Sequence, residues 1–362
     1  MTPNYNKIHH KFKLNAVHYN FNEFKDFAHY FIEEGQPFEK TIGEFLCDWL
    51  NGKDYVLVNT SGSTGKPKSI KIKKKAMVNS AIATGEFFKL KAGDSALHVL
   101  PTNFIAGKMM LVRAMVLGLE IDVVEPTSNL KFDTKKHYTF SAMVPLQLQN
   151  NIENISNIET VIVGGAAVSK PLFNVIQTIN SVIYETYGMT ETVTHIAVKQ
   201  LNNFRHAELV SASHFKTLPN VSISQDKRDC LIIEAPKLSE EKIVTNDIVK
   251  LHSKTEFVWL GRFDNVINSG GLKLFPEQIE AKLQDIIKQR FFVASEKNEI
   301  LGEQLILIIE GKPNIDVISN ATRNLMTLDK YEKPKQVYTV SKFIETTSGK
   351  IQRKKTLELL NI

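Results

Sequence analysis

Between residues 54 and 200 the chain alternates short β-branched or aromatic runs with stretches of helical periodicity. YVLVN, ALHVLP, IDVVEP, FSAMVP, TVIVGG and SVIYETYG each read as a strand, and strand ends repeatedly meet Gly, Pro, Thr or Ser before a helical stretch. This layout predicts an α/β domain whose functional loops gather at the carboxyl ends of its strands. Ile70 and Ile72, set between lysines in KPKSIKIKKK, predict a short half-exposed strand, followed by a helix with Met77, Ala81 and Phe88 on one face. A second unit starts near Gly261. There Pro276 opens the helical pattern PEQIEAKLQDII with Ile279, Leu283 and Ile286 on one face, and FFVAS and QLILIIE follow as strands, which predicts a compact α+β domain of about 100 residues. The stretch NNFRHAELVSAS, Asn202 to Ser213, breaks both periodicities and is expected to be an exposed insertion.

Composition adds bounds rather than chemistry. A length of 362 residues exceeds one comfortable core, so two domains are expected, and 43% apolar with 23% charged residues is the balance of a soluble globular chain. Cys47 and Cys230 stand far apart and in no zinc spacing, which fits a reduced, cytoplasmic setting. The N-terminal twenty residues lack an apolar h-region and no stretch is long enough to span a membrane, so neither secretion nor membrane insertion is expected. The net charge is +6 and its densest patch runs from Lys66 to Lys75. Strand-like alternation within that patch argues against nucleic acid as the partner, and an anionic small molecule such as a nucleotide accounts for the charge equally well. Oligomeric state stays open.

The strongest local signal is TSGSTGKPK, from Thr60 to Lys68. Gly62 and Gly65 lack a Cβ, so a phosphate can approach the main-chain N–H groups closely, and the hydroxyls of Thr60, Ser61, Ser63 and Thr64 add donors. Lys66 and Lys68 compensate charge, while Pro67 stiffens the loop. A Walker A loop is excluded because Thr60 stands where glycine is required and Pro67 follows the lysine. This is a polyphosphate loop of another type.

Three further clusters follow in order. YETYGMTET, Tyr184 to Thr192, offers Glu191 for Mg²⁺, Thr190 for a phosphate and Tyr187 for a base. GRFDNVINSGGLKLFPEQIE puts Arg262 and Asp264 before a double-glycine loop, and TTSGKIQRKK presents Lys350 on a Ser-Gly approach. Taken singly, each has a bland counterpart: Tyr187 as core packing, Asp247 as a turn former, Arg262 with Asp264 as a structural ion pair, Lys350 as a solvated tail charge.

Together these motifs, over roughly Asn59 to Lys354, resemble the adenylate-forming superfamily of acyl-CoA ligases, adenylation domains and luciferases. The wording TNDIVKL and WLGRFDNVINSGGLKLFPEQIE is most similar to its o-succinylbenzoate–CoA ligase branch, which serves menaquinone biosynthesis. The resemblance implies a shortened N-terminal ATP- and acid-binding domain over residues 1–260, a hinge at 261–264 and a small mobile α+β lid over 265–362. It implies ATP, Mg²⁺ and coenzyme A as the molecules handled with a carboxylic acid. By position, Thr60, Ser61, Gly62, Ser63, Thr64, Gly65 and Lys68 would embrace the ATP phosphates. Gly164, Gly165 and Ala166 would meet the adenine, with Tyr187 and Gly188 beside it. Thr190 would contact the α-phosphate, Glu191 would bind Mg²⁺, and Asp247 with Arg262 would hold the ribose. Asp264 matches the hinge, Gly270, Gly271 and Lys273 match the loop that meets CoA in the thioester-forming state, and Lys350 matches the catalytic lysine.

Departures from the pattern fall mainly where the acid would sit. Ser69 replaces a frequent glycine, PTNFIAGKMMLVRA lacks the aromatic or histidine that often follows the proline, and the N-terminal part is shorter than in most members. For a diacid, Lys108 and Arg113 are the candidates to bind the second carboxylate, Arg113 preferred for its bidentate geometry, with the alternative that both are surface charges on a helix. His195 is either a pocket residue or a core histidine. Three rival readings remain: a ligase for another aryl or alkyl acid, a protein that loads a carrier-protein thiol, and an inactive nucleotide-binding relative.

Overall fold

The computed structural model describes residues 4–60, 68–203, 214–346 and 351–360. Strand β1 (Lys13–Leu14) precedes two antiparallel helices, α1 (Phe21–Glu34) and α2 (Pro37–Leu50). Asn20 caps α1 by accepting from the Asn22 and Glu23 amides, while Pro37 starts α2 at a position that needs no N–H. Strands β2 (Tyr55–Thr60) and β3 (Lys68–Lys73) pair antiparallel in a sheet of their own, and α3 (Lys74–Phe88) follows. The expectation that YVLVN joins the main α/β alternation is therefore corrected. Val56 and Val58 are buried while Leu57 is exposed, a one-faced pattern that suits a hairpin laid on the helices and not a strand covered on both sides.

The main sheet takes β4 (Ser95–His98), β5 (Glu120–Val123), β6 (Tyr138–Met143), β7 (Ile158–Val163) and β8 (Val182–Gly188), interleaved with α4 (Ile105–Leu117), α5 (Pro145–Asn150) and α6 (Lys170–Ile176). Its order β1-β5-β4-β6-β7-β8 is parallel throughout. Successive residues of β7 serve opposite cores: Ile162 packs with the helices α1 to α4, and Val161 and Val163 pack with Leu172 and Ile176 of α6. Burial on both faces is why these strands read as continuous apolar runs.

At β8 the sheet changes direction. Strands β9 (His195–Gln200), β10 (Phe215–Thr217), β11 (Ser222–Gln225), β12 (Cys230–Glu234), β13 (Ile243–Leu251) and β14 (Glu256–Arg262) continue it antiparallel around their own apolar core. A separate sheet follows, made of β15 (Ile267–Ser269), β16 (Leu272–Leu274), β17 (Phe291–Asn298), β18 (Gly302–Glu310) and β19 (Gln336–Val340). It packs with α7 (Pro276–Leu283) and α8 (Ile315–Asn324), and α9 (Arg353–Glu358) closes the chain. Ile279 and Leu283 are fully buried on α7, and Ile286, just beyond the helix, packs on the same core.

Two polar residues depart from expectation. Asn202 is completely buried: its amide donates to the Ile176 and Ser181 carbonyls and its oxygen accepts from the Ile183 amide. It ties α6 to the start of β8 and is no part of an exposed insertion; residues 204–213 lie outside the described residues. Lys74, within the basic patch, is likewise buried, donating to the carbonyl and side-chain oxygens of Asn51 at 3.0 and 3.1 Å.

Replacing Asn202 with Ala would leave the Ile183 amide unpaired and remove the bonds to the Ile176 and Ser181 carbonyls. The expected loss is about 3 kcal/mol in urea unfolding; a loss below about 1 kcal/mol would contradict this bonding.

Candidate active site

The carboxyl ends of β7 and β8 lie side by side at the point where the sheet turns antiparallel. After β7 the chain exposes Gly165 and Ala166, and Gly165 takes a φ of +86°, a conformation that favours glycine. Gly164 is required for a different reason: a Cβ there would meet Thr186 Oγ1 at 2.3 Å, and that hydroxyl donates to the Val163 carbonyl. The backbone of 164–166 is thus presented to solvent beside β8. At the end of β8, Gly188 is exposed, Thr190 begins a single 3₁₀ turn and Glu191 projects outward. Among the described residues the Glu191 carboxylate has no ion-pair partner, and no cluster of three His, Cys, Asp or Glu could hold a metal. That suits Mg²⁺ held by one carboxylate and by phosphate oxygens from the nucleotide.

Asp247 is the centre of a second group. It sits on β13 directly opposite Arg262 on β14, and it is 6% exposed. Tyr187 Oη donates to Asp247 Oδ2 at 2.6 Å, Trp259 Nε1 donates to Oδ1 at 3.2 Å and Arg262 Nη1 donates to Oδ1 at 3.3 Å. Asp264 Oδ2 lies 3.9 Å from the same guanidinium and accepts from Asn246 Nδ2. Burial first, and then the Asp247 carboxylate, push the Tyr187 phenol up, so it stays a donor. Its ring packs edge-on against Phe257 and beside Phe215, which combines core packing with polar anchoring. Asp247 is therefore a hub and not a turn former. Trp259 was not singled out from sequence, although its two-residue spacing from Gly261 along a strand is the signal that could have found it. Arg228 was also missed; it reaches Asn246 Oδ1 and the Thr245 carbonyl beside the hub.

A third group lies on the far side of the 3₁₀ turn. Arg113 of α4 is 1% exposed, with Nε donating to Thr84 Oγ1 at 3.3 Å and Nη2 contacting Thr194 Oγ1 at 3.5 Å and His195 Nδ1 at 3.4 Å. A guanidinium only donates, so His195 Nδ1 accepts and Nε2 carries the hydrogen, facing Thr84 Oγ1 at 3.5 Å. No carboxylate lies within ion-pair distance of Arg113 among the described residues. Burial pushes its guanidinium down to about 9, leaving it cationic at neutral pH. His195 is driven below its ordinary value by burial and then by Arg113.

The surface-charge alternative for Lys108 and Arg113 is overturned, since both are buried. They do not meet, however. Five residues apart, they are turned by about 140° around the helix, and the Lys108 ammonium lies 4.9 Å from the centre of the Phe45 ring, on the side of α2.

Gly270 and Gly271, both at positive φ, form the two-residue turn between β15 and β16, and Lys273 on that hairpin lies 3.6 Å from Asp229. Thr60 and Lys68 are backbone partners across the β2–β3 hairpin, while residues 61–67 and Lys350 lie outside the described residues.

A family model described as AMP-binding enzyme matches residues 17–224, more than half of the chain. The chain belongs to the AMP-binding enzyme family. Among solved members of known structure, an acyl-CoA synthetase (AMP-forming)/AMP-acid ligase II-like protein from Dyadobacter fermentans is 34% identical, with a TM-score of 0.61 over 93% of this chain and 98% of that one. A 2-succinylbenzoate–CoA ligase from Lactococcus lactis is 25% identical over 331 residues, 85% of this chain and 72% of that protein. The o-succinylbenzoate CoA synthetase of Bacillus subtilis, solved with its acyl-adenylate intermediate, shares the fold at a TM-score of 0.69 and 19% identity, over 83% of this chain and 68% of that one.

The buried imidazoles carry a pH signature. His98, held at about 4 by burial, and His195 both favour the neutral ring in the fold, so the unfolded chain binds more protons below its pKa near 6.5. Their contribution is complete above about pH 6.5 and is lost as pH falls, His98 alone accounting for roughly 3 kcal/mol. Ring resonances of both residues should not titrate between about pH 6 and 8. Arg113→Met should raise the His195 pKa yet leave it below the ordinary value, since burial is the larger cause. Titration of His195 at its ordinary value in the unaltered protein would contradict its enclosure.

Proposed function

We propose that this AMP-forming acid–CoA ligase acts on an aromatic diacid, o-succinylbenzoate, converting it to the CoA thioester for menaquinone biosynthesis. The observation that carries this reading is Arg113: a buried cation beside the YGMTE segment whose partners, among the described residues, are two hydroxyls and an imidazole and no acid. A buried charge left without a counter-ion is costly, and a substrate carboxylate would supply one. The names of the Lactococcus and Bacillus relatives support the same acid.

In this reading the ATP phosphates lie along residues 60–68, the adenine against 164–166 and Tyr187, and the ribose hydroxyls at Asp247 and Arg262. Mg²⁺ at Glu191 would neutralise phosphate charge. The reacting carboxylate oxygen attacks the α-phosphorus and pyrophosphate leaves, with no protein nucleophile. Thr190 and Lys350 position and neutralise the phosphate at that step, so catalysis is placement and charge stabilisation. The second carboxylate, arriving at the β8–β9 turn, replaces the long contact between Arg113 and Thr194 with a charge-assisted pair. The residues beyond Asp264 then rotate as a lid, withdrawing Lys350 and bringing Gly270, Gly271 and Lys273 toward the adenylate, where the CoA thiolate attacks the carbonyl and AMP departs.

A pyrophosphate-release screen over carboxylic acids, with and without CoA, tests the assignment. It should select the diacid, and thioester formation should require CoA; preference for a monocarboxylate or for a carrier-protein thiol would refute it. Arg113→Ala should raise KM for the diacid by about thirtyfold or more with little change for ATP; an unchanged diacid KM would remove Arg113 from the site. Lys350→Ala should cripple adenylate formation while preformed acyl-adenylate still yields thioester, and equal loss of both steps would defeat the two-state scheme.

A further inference from the structure

Beyond the residues used above, α3 forms one wall of a cavity of about 540 Å³, closed by His195 and Ile196 of β9, by residues 218–221 and by Lys237 and Leu238. The size is that of a site for a drug-sized molecule. Its opposite wall is fastened to α3 and to the end of β3: Asn79 Nδ2 donates to the Lys237 carbonyl at 2.8 Å, and Lys73 pairs with Glu240 at 2.6 Å.

The lining is amphipathic and polarised. Ile82, Ala83, Leu117, Leu218, Val221 and Leu238 supply the apolar surface. Lys75 and Lys237 are exposed at the end nearest the start of α3, and among the described residues neither has an ion-pair partner. Glu86 lies eleven residues further along, about 16 Å away at the helical rise. The helix dipole adds positive potential at the lysine end. Within the wall, Ser80 is 1% exposed and its Oγ has no hydrogen-bond partner among the described residues. A buried hydroxyl without a partner is uncommon and calls for one.

We propose that this cavity binds a small amphipathic anion, an aryl carboxylate or sulfonate, with its charged group at Lys75 and Lys237, its apolar body against Leu117 and Leu218, and a polar atom at Ser80. None of the residues assigned to nucleotide, Mg²⁺ or CoA lines the cavity, and Arg113 is not among its walls. The site therefore stands whichever acid the enzyme activates. Through His195, which lines the cavity and whose ring accepts from Arg113, its occupant would adjoin the proposed acid-recognising cluster without entering it.

Anilinonaphthalene sulfonate, an aryl anion of suitable size, serves as the probe. Titrated into the full-length enzyme with saturating ATP and Mg²⁺, it should show one saturable site. Ala83→Trp, which fills the cavity, should abolish that binding, and Lys75→Glu with Lys237→Glu should weaken it by about tenfold. Should Ala83→Trp lower the melting temperature, the charge reversals at the exposed rim carry the test alone. Binding indifferent to the rim charges, or displaced one for one by ATP or by o-succinylbenzoate, would overturn the proposal, the latter by assigning the cavity to the active site.

Discussion

A single buried guanidinium joins three parts of this molecule. Arg113 leaves the middle of α4, reaches Thr84 on α3 and ends at Thr194 and His195, immediately after the 3₁₀ turn that carries Thr190 and Glu191. The helix layer is thereby fixed to the turn that follows β8. The arrangement costs desolvation energy that neutral hydroxyls repay poorly, since hydrogen bonds to them are weaker than ion pairs. Such a residue is a poor stabiliser, and in the proposed role as receptor for a substrate carboxylate it would gain the counter-ion that the described residues do not supply.

The other constraint is topological. A parallel sheet that turns antiparallel at β8 leaves the ends of β7 and β8 uncovered, and that gap is where open α/β sheets receive ligands. The antiparallel half then returns β13 and β14 alongside, so that Asp247 and Arg262, fifteen residues apart, become direct neighbours. Tyr187 and Trp259 hold the carboxylate, which leaves Arg262 as its half-exposed partner.

Much of this was legible in the chain because strong local patterns coincide with the fold. Strands β4 to β8 and the apolar face of α7 follow from periodicity, while Gly270 and Gly271 read only as a double-glycine loop and not as the hairpin turn they form. What failed did so where tertiary context overrides local pattern. YVLVN has the same residue types as the central strands, and only which side chains find cover decides that it stays outside the sheet. Asn202 looks like loop punctuation because an asparagine buried for its four hydrogen-bonding groups has no sequence signature distinct from one in a turn. Arg113 and Lys108 sit on an almost wholly apolar helix, whose burial on all sides conceals where each cation points. Trp259 is harder to read for a related reason, as its indole N–H matters only because β13 pairs with β14 and so brings Asp247, opposite Arg262, within its reach.

The proposed pairing of Arg113 with a substrate carboxylate is open to direct measurement. Calorimetric titration of o-succinylbenzoate, and of the matching compound in which the ring carboxylate is an uncharged carboxamide, into the enzyme holding a non-hydrolysable ATP analogue measures this directly. The diacid should bind about thirtyfold tighter or more, as expected for a buried charge pair. Equal affinity for the two compounds would contradict it.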